Sequence, residues 1–80
     1  MTTPRAATAG ELYAIAVAVA KDRGVDLDLV RRLISNANVF VLEDQVAGHQ
    51  SVRSAVVSLP DGINGYRLTQ YMDGDRAERI

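Results

Sequence analysis

The single histidine of this chain lies in a predicted turn, beside other polar groups. His49 stands between Asp44 and Ser51. Serine, histidine and aspartate form an acyl-transfer site when the histidine accepts the serine proton and the aspartate orients the histidine. That chemistry needs a rigid pocket, and no pattern around this turn supplies one. The favoured interpretation is a surface histidine, and the sequence predicts a protein that is not an enzyme and has no catalytic residues.

Paired carboxylates are the other candidates for chemistry. Asp26 and Asp28 are explained by capping of a helix. Asp73 and Asp75 lack the further oxygen ligands and the bidentate glutamate of a calcium loop. The chain has no cysteine, so it offers neither a thiolate metal site nor a thiol nucleophile. The sequence therefore predicts no metal and no cofactor.

A helix-turn-helix over residues 14–36 is a more specific alternative. The spacing that resembles this motif is carried by Ala20, Gly24, Val30 and Leu33. The glycine permits the tight turn, and the apolar residues lock the two helices together. In this alternative the chain is a DNA-binding regulator, such as an antitoxin or a phage repressor.

Arg31 and Arg32 are the residues that would contact DNA in that alternative. Asp26 and Asp28 would lie at the N-terminal end of the recognition helix, where they repel phosphates. Nine basic residues against ten acidic ones give a formal charge of -1, which predicts little nonspecific affinity for nucleic acid. Ordinary helix packing is the preferred interpretation, without direct nucleic-acid binding.

The length of 80 residues corresponds to a single small domain, residues 1–80. So short a chain removes only about 60 to 65% of its surface from water on folding, so its core gains from being covered. The longest apolar run, residues 12–20, is nine residues long, whereas a membrane-spanning helix needs about 20. The sequence predicts a cytoplasmic protein that does not enter a membrane.

Two helices are predicted before residue 38, where apolar residues recur at helical spacing. Thr8 and Glu11 fit a capping box at the start of the first helix. Gly24 can adopt the left-handed conformation that ends it. Asp26 is a good N-cap for the second helix. The apolar residues of the second helix expected to face inward are Leu27, Val30, Leu33 and Ile34.

Apolar and polar residues alternate after residue 38, which is typical of strands. Turns are predicted at residues 47–50 and 60–65. The strands between them are residues 39–46, 51–59 and 66–72. A third helix over residues 44–58 is the alternative, which Gly48 and the β-branched content disfavour.

The predicted fold class is α+β, with two N-terminal helices packed on a three-stranded antiparallel meander and frayed ends at about 1–7 and 73–80. Pairing outward from the turns places Asp44 opposite Arg53. The inner face is then expected to carry Phe40, Leu42, Ala55, Val57, Leu59, Tyr66, Leu68 and Met72. The outer face is expected to carry Val39, Val41, Glu43, Gln45, Val52, Ser54, Val56, Ser58, Arg67, Thr69 and Tyr71.

The outer face contains the residues predicted to bind a partner. They are Val41, Val56, Arg67, Thr69 and Tyr71. Tyrosine and arginine dominate binding hot spots, and here they have apolar surroundings. The sequence therefore predicts a nonenzymatic protein-binding inhibitor that acts sterically on a larger protein, and self-association as a homodimer is a companion prediction.

In general character the chain resembles the small phage-borne anti-CRISPR proteins, which are similarly short, compact, free of cysteine and without catalytic motifs. The resemblance implies binding to the RNA-guided surveillance complex, a CRISPR effector, in the cytoplasm of a bacterial host. Binding there would block access to target DNA. The balanced charge differs from that of the strongly acidic members that mimic DNA, so an interface on the protein subunits of the complex is expected.

Overall fold

The computed structural model describes residues 4–44 and 52–80 and contains two helices packed on an antiparallel sheet. The elements in chain order are β1 Arg5–Ala6, α1 Ala9–Arg23, α2 Leu27–Leu33, β2 Val39–Asp44, β3 Val52–Leu59, β4 Gly62–Tyr71 and β5 Gly74–Arg79. The predicted α+β class is confirmed. Neither helix within the described ranges is long and apolar enough to cross a membrane.

The start and end of α1 are fixed by local sequence, as predicted. The Thr8 hydroxyl accepts a hydrogen bond from the Glu11 backbone N–H at 3.2 Å, and the Thr8 N–H donates to the Glu11 carboxylate at 2.9 Å. This reciprocal capping box satisfies two donors that the first turn of a helix leaves open. Gly24 ends the helix with φ 63° and ψ 36°, a left-handed conformation that glycine adopts without steric cost.

Helix α2 has only seven residues, and this changes which of its side chains are buried. Asp26 is its N-cap, as predicted, and accepts a hydrogen bond from the Asp28 N–H. Val30 is buried, whereas Leu33 is 52% exposed, so the predicted inward placement of Leu33 is wrong. The helix ends at Leu33, and Ile34 turns into the core with an extended backbone.

The sheet has five strands in the order β1-β2-β3-β4-β5, so the predicted number of three is wrong. Both extra strands come from segments that were expected to be frayed. Residues Arg5 and Ala6 pair with Val41 and Phe40 of β2. Strand β5 forms a hairpin with β4, and its first residue, Gly74, has φ 126°.

The β3–β4 hairpin closes more tightly than predicted, with Leu59 opposite Gly62. Only Pro60 and Asp61 form the turn, in place of residues 60–65. Strand β4 therefore begins four residues earlier than predicted. An even shift leaves side chains on the same face, so Tyr66 and Leu68 remain on the predicted inner face and are 1% exposed.

Strand β2 differs from the prediction by a single residue, which reverses its faces. Glu43, not Asp44, lies opposite Arg53. Val39 and Val41 are fully buried in the core, and Phe40 is 47% exposed on the other face. The predicted placements of these three residues are therefore wrong, and Met72, also expected inside, is fully exposed.

The alternative of a helix over residues 44–58 is wrong for residues 52–59, which form β3. Residues 45–51 lie outside the described residues. The core between the helices and the inner face is made of small and β-branched side chains around one tyrosine. Its fully buried members are Ile15, Ala16, Val39, Val41, Ala55, Val57, Tyr66 and Leu68.

Candidate functional site

Four of the five predicted partner-binding residues lie on the outer face of the sheet, which points away from the helices. Arg67 and Tyr71 are exposed, and Val56 and Thr69 are half-buried. Val41, the fifth, is buried in the core and contributes nothing to this surface. The cause is the register of β2, in which Val41 pairs with inward-facing Ala55.

Phe40 takes the place that was predicted for Val41. It lies directly opposite Val56, and its ring is 47% exposed. The pair brings a large apolar side chain next to a β-branched one across two strands, which is a favourable cross-strand contact. The outer face therefore has a more apolar and more aromatic centre than the sequence predicted.

Strand β5 supplies two further residues of this surface that the sequence reasoning missed. Arg76 lies opposite Thr69 in the sheet, and its guanidinium is 4.4 Å from the centre of the Tyr71 ring. At that distance a cation is attracted by the ring quadrupole. Glu78 lies opposite Arg67. Inward-facing and outward-facing residues alternate over 74–79, and this alternation could have predicted the strand. The four charged residues in the segment made it resemble a solvated tail instead.

We name the set Phe40, Val56, Arg67, Thr69, Tyr71 and Arg76 the outer patch. It combines two aromatic rings with two arginines on a regular sheet. The paired strands fix the backbone beneath these side chains, so binding of a partner orders side chains but not the backbone. This composition and rigidity are typical of a surface that recognises a folded macromolecule.

The arginines of the DNA-binding alternative lie on the other side of the molecule, on α2. The Arg31 guanidinium is 5.4 Å from the centre of the Tyr13 ring of α1. Arg32 is exposed. Asp26 and Asp28 stand at the start of the same two-turn helix. The helix thus presents negative charge at the end where a recognition helix approaches phosphates.

A buried ion network fixes α1 to the sheet at its N-terminal end. Glu11 is 1% exposed. Its carboxylate accepts two hydrogen bonds from Arg5, at 2.8 and 2.9 Å, and one from Arg53 at 2.8 Å. Arg53 also donates to Asp75 of β5 at 2.6 Å. One helix and three strands therefore meet at these four side chains.

The surroundings of Glu11 exclude it from acid or base chemistry near neutral pH. Burial by itself would raise the pKa of this carboxyl, but hydrogen bonds from Arg5, the Thr8 N–H and Arg53 outweigh burial and hold the pKa at about 2. The hydrogen bonds that Arg53 donates to Asp75 and Glu11 raise the pKa of Arg53, against the effect of burial. Glu11 and Arg53 are therefore both ionised at neutral pH, where their contacts join α1 to the sheet.

We expect the free energy of unfolding to fall as the pH drops from about 4.5 to about 2. Glu11 in the unfolded chain binds a proton near its usual pKa of 4.5, whereas the folded protein holds it ionised to about 2, so acid favours unfolding across this window. Urea unfolding at several pH values measures the effect. Glu11→Gln keeps a side chain able to cap the helix, and its stability is expected to decline less steeply. Parallel curves for the two proteins would contradict the assignment.

The serine–histidine–aspartate combination that the sequence analysis disfavours falls largely outside the described residues. His49 and Ser51 lie outside the described residues, and Asp44 is described only as part of the β2 backbone. Within residues 4–44 and 52–80, no group of three or more acidic or histidine side chains is arranged to hold a metal ion.

Comparisons with protein-family models, with curated proteins and with solved structures found no match to this chain. The outer patch is therefore the feature of this protein that indicates a function.

Proposed function

We propose that this protein is a small nonenzymatic binding module that occupies a surface on a larger protein through the outer patch. The single observation that carries the proposal is the exposed Tyr71 ring beneath the Arg76 guanidinium, on the same face as the exposed Phe40. Tyrosine and arginine contribute most strongly to protein–protein binding when apolar neighbours exclude water around them. Binding there blocks whatever else uses the occupied surface.

The partner class we propose is a protein subunit of an RNA-guided surveillance complex in the cytoplasm of a bacterial host. Its basis is the general resemblance to the phage-borne anti-CRISPR proteins. Charge supports a protein partner over DNA mimicry, because acidic and basic residues are nearly balanced and the outer patch carries arginines. The mechanism is steric, with target DNA excluded from the complex.

Tyr71→Ala is expected to weaken binding to the partner about tenfold or more, because it removes a half-exposed anchor and the surface on which Arg76 rests. Affinity capture from host lysate first identifies the partner complex. The protein is then titrated into the purified complex, and the loss of target DNA binding measures the affinity. Tyr71 is 44% exposed and Tyr13 is 50% exposed, and each has an arginine over its ring.

Tyr13→Ala is therefore the matched control, and it is expected to bind like the unmodified protein. Capture of one stoichiometric protein complex by the unmodified protein and by Tyr13→Ala, and its loss with Tyr71→Ala, would support the outer patch. Equal losses in the two variants would reject it. A complex that still binds target DNA when saturated with the protein would reject the steric mechanism.

The DNA-binding regulator stays a prediction of the sequence. A mobility shift at low salt separates it from the module proposed above. Retention of duplex DNA that is abolished by Arg31→Ala together with Arg32→Ala, and unaffected by Tyr71→Ala, would favour the regulator.

A further inference from the structure

A second apolar surface lies on the helix side of the molecule, away from the outer patch. It is a groove of about 300 Å³ between α2 and the β3–β4 turn. The apolar walls are Val25, Leu29 and Leu33 on one side and Leu59 and Pro60 on the other, and the ion pair between Arg23 and Asp61 also lines the groove. Val25, Leu29 and Leu33 are 41%, 50% and 52% exposed. Leucine and valine left this accessible beside a groove are typical of a surface that another molecule covers.

The charges along α2 indicate what covers it. Asp26 and Asp28 stand at its start, and Arg31 and Arg32 in its last turn. A helix with acids at one end and bases at the other is complementary to itself when two copies run antiparallel. In that arrangement the partial positive charge at the start of each helix also lies beside the partial negative charge at the end of the other. Two-fold symmetry produces that arrangement, because each contact occurs twice with the roles exchanged.

We propose that a second copy of this chain covers the groove, with the two α2 helices packed antiparallel about a two-fold axis. The axis passes between Leu29 and Leu33, so that Leu29 of each copy enters the groove of the other. Asp28 of each copy then lies beside Arg32 of the partner subunit. Asp28 and Arg32 are one helical turn apart and lie on the same flank of the apolar stripe, so both pairs form together.

Dimerisation through α2 does not depend on binding through the outer patch. The groove belongs to the helix layer, and the outer patch lies on the opposite side of the sheet. A dimer formed through α2 leaves both copies of the outer patch uncovered. A protein that proves monomeric could still bind a partner through the outer patch. A protein that binds nothing through the outer patch could still dimerise through α2.

Sedimentation equilibrium of the purified full chain at several concentrations tests the proposal. We expect a concentration-dependent species of twice the 8.7 kDa chain mass. Leu29→Asp is expected to abolish that species, because it places a carboxylate in the partner's groove. Val17→Asp is the matched control, since Val17 is a 39% exposed apolar residue on α1 outside the groove lining. A monomer at every concentration, or a dimer that survives Leu29→Asp, would overturn the proposal.

Charge reversal tests the antiparallel arrangement itself. Asp28→Arg places arginine against Arg32 of the partner subunit, and Arg32→Asp places aspartate against Asp28 of the partner subunit. We expect each variant alone to dimerise about tenfold more weakly. A one-to-one mixture of the two restores opposite charges across the axis only in the mixed dimer, and its affinity is expected to return to that of the unmodified protein. No recovery on mixing would overturn the arrangement.

Discussion

Val41→Asp is expected to unfold the protein, whereas the same replacement at the neighbouring residue, Phe40→Asp, leaves it folded. Val41 is fully buried opposite Ala55, and Phe40 is half-exposed opposite Val56. A carboxylate buried there costs several kcal/mol or more, because Arg5, the cross-strand neighbour of Val41, already donates from both terminal nitrogens to Glu11. A domain is stable by about 5 to 15 kcal/mol in total, and one of 80 residues lies toward the lower end. The expected loss is therefore most of the stability.

Circular dichroism during thermal or urea unfolding measures both variants, with Phe40→Asp as the control for the added charge. The comparison also decides the register of β2. If Asp44 lay opposite Arg53, as the sequence pattern predicted, Phe40 would face the core and Phe40→Asp would be the damaging change. A folded Val41→Asp protein and an unfolded Phe40→Asp protein would reject the register described above.

Arg53→Met is the replacement with the second largest expected effect, a loss of about 3 to 5 kcal/mol of unfolding free energy. It removes the hydrogen bonds that Arg53 donates to Glu11 and to Asp75. Glu11 is only 1% exposed. Methionine matches the apolar stem of arginine in length, so most of the loss is electrostatic: Glu11 keeps only Arg5 as a cationic partner, and Asp75 loses the bond from Arg53. Urea unfolding at neutral pH provides the measurement.

Arg67→Met is the control for this change, because Arg67 is an exposed arginine on the adjacent strand and its loss is expected to cost less than about 1 kcal/mol. The double variant Glu11→Gln with Arg53→Met removes the buried charge together with its partner. We expect it to cost less than the sum of the single changes. The Arg53 Nε has no hydrogen-bond partner among the described residues, so part of the cost of burying this arginine disappears with it. A loss below about 1 kcal/mol in Arg53→Met would contradict the role assigned to the network.

Both ends of α1 and the start of α2 could be predicted from the sequence because capping is local. Thr8 and Glu11 are three residues apart, and Gly24 and Asp26 act on their own turns. Such signals need no knowledge of the rest of the chain. The same locality explains why Tyr71 and Arg67 could be assigned to one face, since alternation along β4 determines it.

The register of β2 could not be predicted, because residues 39–42 are all apolar and either alternation can face a core. The predicted turn at 47–50 places each β2 residue one position away from the β3 partner that it has in the structure. Strand β5 was missed because Asp75, Arg76, Glu78 and Arg79 together read as a solvated tail. One signal for the ion network was available: Glu11 on the buried face of α1 needs cationic partners, and alternation along β3 places Arg53 on the same face as Ala55 and Val57. Their pairing would have tied the helix to β3 in advance.

The small size of β1 sets the weak point of the fold. Strands β3, β4 and β5 are joined by tight hairpins, whereas β1 reaches β2 from the far end of the chain and contributes two residues. Local opening begins where few contacts hold a segment, so the amide hydrogens of this pairing exchange with solvent ahead of those in the central strands. Once β1 detaches, β2 becomes an unpaired, apolar border of the sheet that can template strand addition by another chain. By covering the edge of β2, the N-terminal segment is expected to limit aggregation. Its removal is expected to lower the solubility of the protein first.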